Sequence, residues 1–149
     1  MNETHEKELK VFIDGALHYF EQVSQEHAEV KTPYLLTNDM VADDFTGVID
    51  ISGIRNGAIY YTAPRAMLHH ILLALGESQS TEELYKDLVG EIANTISGNA
   101  RKELGSEFTI SIPDILNGRG IRIEKNKNHK YAIPIRWKSY TSSLIIKLH

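Results

Sequence analysis

Cysteine is absent from the 149 residues, so neither a disulfide framework nor thiolate chemistry is open to this chain. It also lacks any run of about eighteen apolar residues, the minimum for a membrane-spanning helix. An excess of positive charge is missing too. Sixteen Lys and Arg stand against 20 Asp and Glu, for a formal net charge of −4, which argues against nucleic acid as a partner. The opening MNETHEKELK is acidic and polar, without the basic-then-apolar layout of a signal peptide. A cytoplasmic protein with no membrane association is the expectation. H-E-x-x-H, the phosphate-binding P-loop, the dinucleotide glycine fingerprint and G-x-S-x-G are all absent. Of the seven histidines, His69 and His70 are adjacent, and on a helix they point about 100° apart. No metal site and no cofactor of the chain's own are expected.

What is present is a globular composition, 42% hydrophobic and 24% charged, over a length that suits one domain spanning residues 1–149. The richest basic stretch, RGIRIEKNKNHKYAIPIRWK at 119–138, reads as strands joined by a solvated turn. Residues 5–24 predict a helix with Leu9, Phe12, Ile13, Ala16, Leu17, Phe20 and Val23 on one face. Gly15 inside it either weakens the helix or lets a neighbour pack close. EVKTPYLLT reads as a strand interrupted near Pro33. DDFTGVIDISGIRNGAIYYTAP reads as a hairpin turning at Asn56-Gly57. Pro64 then suits the first turn of a helix whose apolar face is Met67, Leu68, Ile71, Leu72 and Leu75, with Gly76 at its end.

Ser80 and Glu83 have the spacing of a capping box, opening a helix that runs to about Leu104 and closes at Gly105. Strands follow at FTISIP, GIRIE, KYAIPIRW and SSLIIKL, with turns at Asn117-Gly118 and Asn126-Lys127-Asn128. The fold class is α+β, with helices packed on a largely antiparallel β-sheet. The C-terminal YAIPIRWKSYTSSLIIKLH is rich in β-formers, and an exposed edge there would invite pairing with a second copy.

The third helix carries an unusual line of residues. At about 100° per residue, Leu84, Tyr85, Leu88, Val89, Ile92 and Ile96 gather on one side. Asp87, Glu91, Asn94, Gly98 and Arg101 gather opposite, facing solvent or another molecule. A solvated polar face is the ordinary explanation. Two residues argue against it. Asn94 competes with its own backbone and is a poor choice in a helix interior. Gly98 costs roughly 1 kcal/mol against Ala, and its missing side chain lets a partner's backbone come close.

Asp87-xxx-Glu91-xx-Asn94 resembles the D/S-xxx-E-xx-N motif of the CheC/CheX/FliY family of chemotaxis phosphatases. The surrounding EIANTISGNARKELG, with SGNA at 97–100 and FTISIP after it, resembles the CheX branch in particular. The resemblance is strong over residues 81–120. It implies a CheC/CheX-like fold and removal of phosphate from the phospho-aspartate of a CheY-type response regulator. By the motif, Glu91 would pair with the regulator's active-site lysine and Asn94 would orient the attacking water. These two are the expected catalytic positions. Asp87, Gly98 and Arg101 are the expected partner-binding positions. The resemblance further implies a phosphorylated CheY-like receiver domain as partner, Mg2+ in that partner's site, and a homodimer with one motif per chain. The first helix offers no second E-xx-N, in keeping with the CheX branch.

The residue types suit that chemistry. An acyl phosphate leaves as a carboxylate of low pKa, near 4, and a loose transition state asks little of a general base. It does ask for a water held in line, which a neutral carboxamide can do without repelling phosphate. The alternative is a non-catalytic regulator-binding or adaptor module using the same surface. A dimeric structural protein with an incidental stripe is the third reading.

Overall fold

The computed structural model describes residues 3–24, 27–36, 40–53, 56–105, 107–118, 122–123 and 130–148. Among these, three helices and ten strands follow one another as α1 (Glu3–Val23), β1 (Glu29–Val30), β2 (Tyr34–Leu35), β3 (Met40–Val41), β4 (Phe45–Gly53), β5 (Gly57–Ala63), α2 (Arg65–Ala74), α3 (Glu82–Leu104), β6 (Phe108–Ile110), β7 (Asp114–Asn117), β8 (Arg122–Ile123), β9 (Lys130–Trp137) and β10 (Tyr140–Leu148). The main sheet runs β1-β9-β10-β5-β4-β6, with β2 also on β9 and β7 also on β4. Every ladder in it is antiparallel. The expected α+β class, helices on an antiparallel sheet, is the observed one.

Alternation along the central strands decides which face the helices cover. Phe45, Ile49 and Ile51 of β4, Ile59 and Tyr61 of β5, Ile133, Ile135 and Trp137 of β9, and Leu144 and Ile146 of β10 join one buried cluster with the helices. Each such side chain stabilises the fold by about 1.5–3 kcal/mol when removed from water. The opposite face is thinner. Ala132 and Ile145 pack there with Ala42, Leu36 and Tyr60. On that face Thr46 Oγ1 donates to Thr62 Oγ1 at 2.9 Å, tying β4 to β5.

Helix α1 buries Leu9, Phe12, Ala16, Phe20 and Val23. Its Phe20 ring lies 6.3 Å from that of Trp137, and Trp137 Nε1 donates to Ser24 Oγ at 3.2 Å. A Cβ on Gly15 would meet the Ile96 carbonyl oxygen at 3.0 Å, so this glycine serves close packing of α1 on α3. Helix α2 opens at Pro64, and its first free amide, that of Arg65, donates to Asp44 Oδ2 at 2.7 Å. It ends in paired carbonyl bonds from Gly76 N to Leu73 O and from Glu77 N to Leu72 O, the Schellman arrangement, with Gly76 at φ 86°. Leu75 is the cap residue and stands 49% exposed instead of in the core. The apolar period had already run out there.

Four further expectations change. The cap of α3 is Thr81, not Ser80: Thr81 Oγ1 accepts from Leu84 N at 3.2 Å. Ser80 Oγ lies instead 2.7 Å from His69 Nδ1. Gly57 begins the return strand, paired with Ile51, so it is not at the tip of the hairpin; Ile54 and Arg55 lie outside the described residues. The strand expected over FTISIP ends at Ile110, as β6, and the unanticipated β7 follows the segment from Asp114; both pair with β4, while β3 and β8 form a separate small ladder. The expected turn at 126–128 lies outside the described residues. Finally, the C-terminal strands form no edge. β10 is enclosed by β9 and β5, and β9 by β10 on one side and β1 and β2 on the other.

Candidate functional site

Helix α3 is seated by its apolar residues. Tyr85, Leu88, Val89, Gly90, Ile92, Ala93, Ile96, Ser97 and Ala100 are buried. They recur at three- and four-residue intervals, which confines burial to one side. The helix crosses β4 and packs on α1, and its outer side carries the stripe. Asp87, Glu91, Asn94 and Arg101 are exposed, and Gly98 is partly so. Three residues along a helix is nearly one turn, so Glu91 and Asn94 point within about 60° of each other. Among the described residues, the side chains of Asp87, Glu91 and Asn94 have no hydrogen bond or ion pair. They stand ready for groups from outside the chain.

Gly98 and Arg101 differ in character from one another. Nothing lies within 4 Å of a Cβ built on Gly98, so no contact inside the chain requires glycine there. Arg101, by contrast, is engaged: its Nε donates to the Phe108 carbonyl at 2.6 Å. That bond ties the last turn of α3 to β6.

Two neighbours of the stripe were not foreseen from the sequence. Tyr19 of α1 is buried, and burial raises its phenol above the usual tyrosine range; the Glu91 carboxylate adds to that rise. Glu91 thus stands near a ring kept neutral. The second is a hollow of about 170 Å3 lined by Leu72, Leu75, Glu77, Leu84, Asp87, Leu88 and Glu91. Two stripe carboxylates therefore share a rim with four leucines. Nothing in the sequence signalled this hollow, because it arises where the end of α2 lies beside the start of α3.

A larger hollow of about 330 Å3 lies between α1 and α3, lined by Val11, Asp14, Gly15, His18, Asn99, Lys102 and Glu103. It includes none of the five stripe residues. No group of three or more His, Asp or Glu is placed to hold a metal ion among the described residues. No described helix is long and apolar enough to cross a membrane.

The sequence matches a family model described as chemotaxis phosphatase CheX over residues 45–136. No curated protein matches the chain by sequence at a significant level. Among solved structures, a chemotaxis protein CheX from Desulfovibrio desulfuricans is 26% identical, covers 96% of this chain and 99% of its own, and has a TM-score of 0.84. A CheC-like superfamily protein from a Shewanella species is 24% identical, with 100% and 99% covered and a TM-score of 0.85. One chain of a CheX–CheY–BeF3–Mg2+ complex from Borrelia burgdorferi is 18% identical, with 95% and 97% covered and a TM-score of 0.77. The last two share the fold.

Proposed function

The chain belongs to the chemotaxis phosphatase CheX family, and we propose that it hydrolyses the phospho-aspartate of a CheY-type receiver domain, with Asn94 and Glu91 as the working residues. The observation that carries the proposal is the pairing of a free amide and a free carboxylate on the exposed face of an otherwise well-seated helix. In the proposed reaction the oxygen of a water attacks phosphorus in line with the bond to the aspartate. That bond breaks, its electron pair leaves with the aspartate carboxylate, and the water's proton passes to phosphate. The products are free receiver and inorganic phosphate.

Asn94 acts by position. Its carbonyl oxygen accepts a hydrogen bond from the water and its NH2 can donate to a neighbouring oxygen. Holding the water in the attacking line removes much of the entropic barrier. Glu91, on the same face, takes the receiver's lysine and fixes the depth of approach. Mg2+ is a component of the solved Borrelia complex; here it would come with the receiver and neutralise charge on the transferring group. Asp87 and Gly98 would widen the dock, and Arg101 would hold the end of the helix that presents them. The chain would act as one domain, in the cytoplasm, as a homodimer. With the C-terminal strands enclosed, the sheet edges left for dimer pairing are those of the short β1 and β2 and of β6 and β7.

The test is the decay of a phosphorylated CheY-type receiver with and without the protein. Accelerated release of inorganic phosphate is expected, and Glu91→Ala should raise KM more than it lowers kcat. Binding of the receiver with no acceleration would make the protein an adaptor and overturn the enzymatic reading.

A further inference from the structure

The stripe does not end at α3. Asp87 and Glu91 are also walls of the hollow whose floor is Leu72, Leu84 and Leu88, and whose outer lip is Leu75 and Glu77. Leu75 is 49% exposed, so its side chain is open to a partner at the rim of the hollow. All the charged lining residues are acidic: Glu77, Asp87 and Glu91. On the same two helices, two cations are already paired. Lys86 pairs with Glu83 at 3.2 Å and Arg65 with Glu82 at 2.5 Å.

Two exposed contacts link α2 to α3 and to the loop before it. The Arg65–Glu82 pair bridges the start of α2 to the start of α3. The His69–Ser80 contact at 2.7 Å bridges α2 to the loop between them. The Schellman turn at Gly76 sets the direction of Glu77. A preformed wall of this kind lowers the ordering cost of an incoming side chain.

We propose that this hollow is the second contact point of the receiver dock. It takes an apolar side chain of the receiver, and Glu77 and Asp87 meet a cation borne beside that side chain. The inference rests on the receiver reading of Asn94 and Glu91. It adds a contact that would set which receiver is accepted. Continuity of the hollow with the stripe, through Asp87 and Glu91, and its single sign of charge select this occupant. Such a contact raises affinity equally for the bound and reacting states, so it acts on KM and leaves kcat alone.

The experiment measures binding of a CheY-type receiver domain, loaded with beryllium fluoride and Mg2+, to the wild type and to Leu75→Ala, Glu77→Lys and Leu73→Ala. Leu73 is exposed but does not line the hollow. Leu75→Ala should weaken binding about fivefold to tenfold, a larger loss than most interface residues show and a smaller one than a hot spot gives. KM for the phosphorylated receiver should rise in step while kcat is unchanged. Glu77→Lys should slow association and flatten its dependence on salt. Leu73→Ala should match wild type. If wild type and Leu75→Ala bind alike while Asn94→Ala abolishes turnover, the hollow is not part of the dock although the function stands. If wild type binds no receiver, both readings fall. If Leu75→Ala changes sedimentation of the free protein and leaves receiver affinity untouched, the hollow belongs to a contact between copies and the proposal is overturned.

Discussion

A Cβ placed on Gly47 would stand 2.7 Å from the carbonyl oxygen of Val89. Strand β4 and helix α3 therefore meet with only a glycine between their backbones, and this contact fixes how far α3 lies from the sheet. Gly47→Ala would force the two apart or strain both, and overpacking of this kind costs about 1–3 kcal/mol. The midpoint of urea unfolding should fall accordingly. An unchanged midpoint would mean that the helix rides loosely on the sheet.

Gly98 is the opposite case, since the space around it is open. Gly98→Ala should stabilise the fold by about 0.5–1 kcal/mol, because alanine is the better helix residue. The same methyl should weaken receiver binding if the glycine lets a partner close in. Greater stability with undiminished binding would remove Gly98 from the dock.

Thr81 and Ser80 can be separated by their hydroxyls. Thr81 accepts from the Leu84 amide, so Thr81→Ala should cost about 1 kcal/mol, as loss of a helix N-cap does. Ser80→Ala removes only an exposed contact with His69 and should cost less. Thermal unfolding of the two variants gives the order, and the reverse order would restore the Ser80 cap.

Alkaline pH should destabilise the fold through Tyr19 and Tyr61. Both phenols have pKa values raised from 10.0, chiefly by burial, with Glu91 adding to the rise at Tyr19. Above pH 10 the unfolded chain releases these protons and the folded chain keeps them. Fewer protons on the unfolded state means that stability falls as pH rises. It is fully present below the unfolded value. Tyr19→Phe should make the decline above pH 10 shallower, as seen in urea titrations at a series of pH values. A slope equal to that of wild type would contradict the assignment of Tyr19.

Legibility of the sequence followed the range of the interactions. The 3.6-residue period of α3 is local, and it separated the buried Leu88, Val89, Ile92 and Ile96 from the exposed Asp87, Glu91 and Asn94. Turn chemistry is local as well, and Gly76 and Gly105 end their helices as expected, both at positive φ. The choice between two adjacent hydroxyls for a cap is less so, because it depends on which residue takes the extended backbone, here Thr81 at φ −127° and ψ 161°. Edges depend on long-range pairing. That β1 and β2 would shield β9, across about a hundred residues of chain, has no signal in the C-terminal pattern. The hollow is likewise a product of α2 lying beside α3. Leu75 and Glu77 carry no motif, and Arg101 reads as a free cation until its bond to the Phe108 carbonyl is seen.

The central claim is that the Asn94 carboxamide orders the water that attacks a neighbour's acyl phosphate. Single-turnover loss of phosphate from a CheY-type receiver, with wild type and Asn94→Ala at saturating concentration, measures it directly. Affinity for the beryllium fluoride-loaded receiver should be the same for both within about twofold, while the rate falls by roughly 10²-fold, the scale of a lost positioning effect. A variant that binds the receiver and clears its phosphate as fast as wild type would contradict the account.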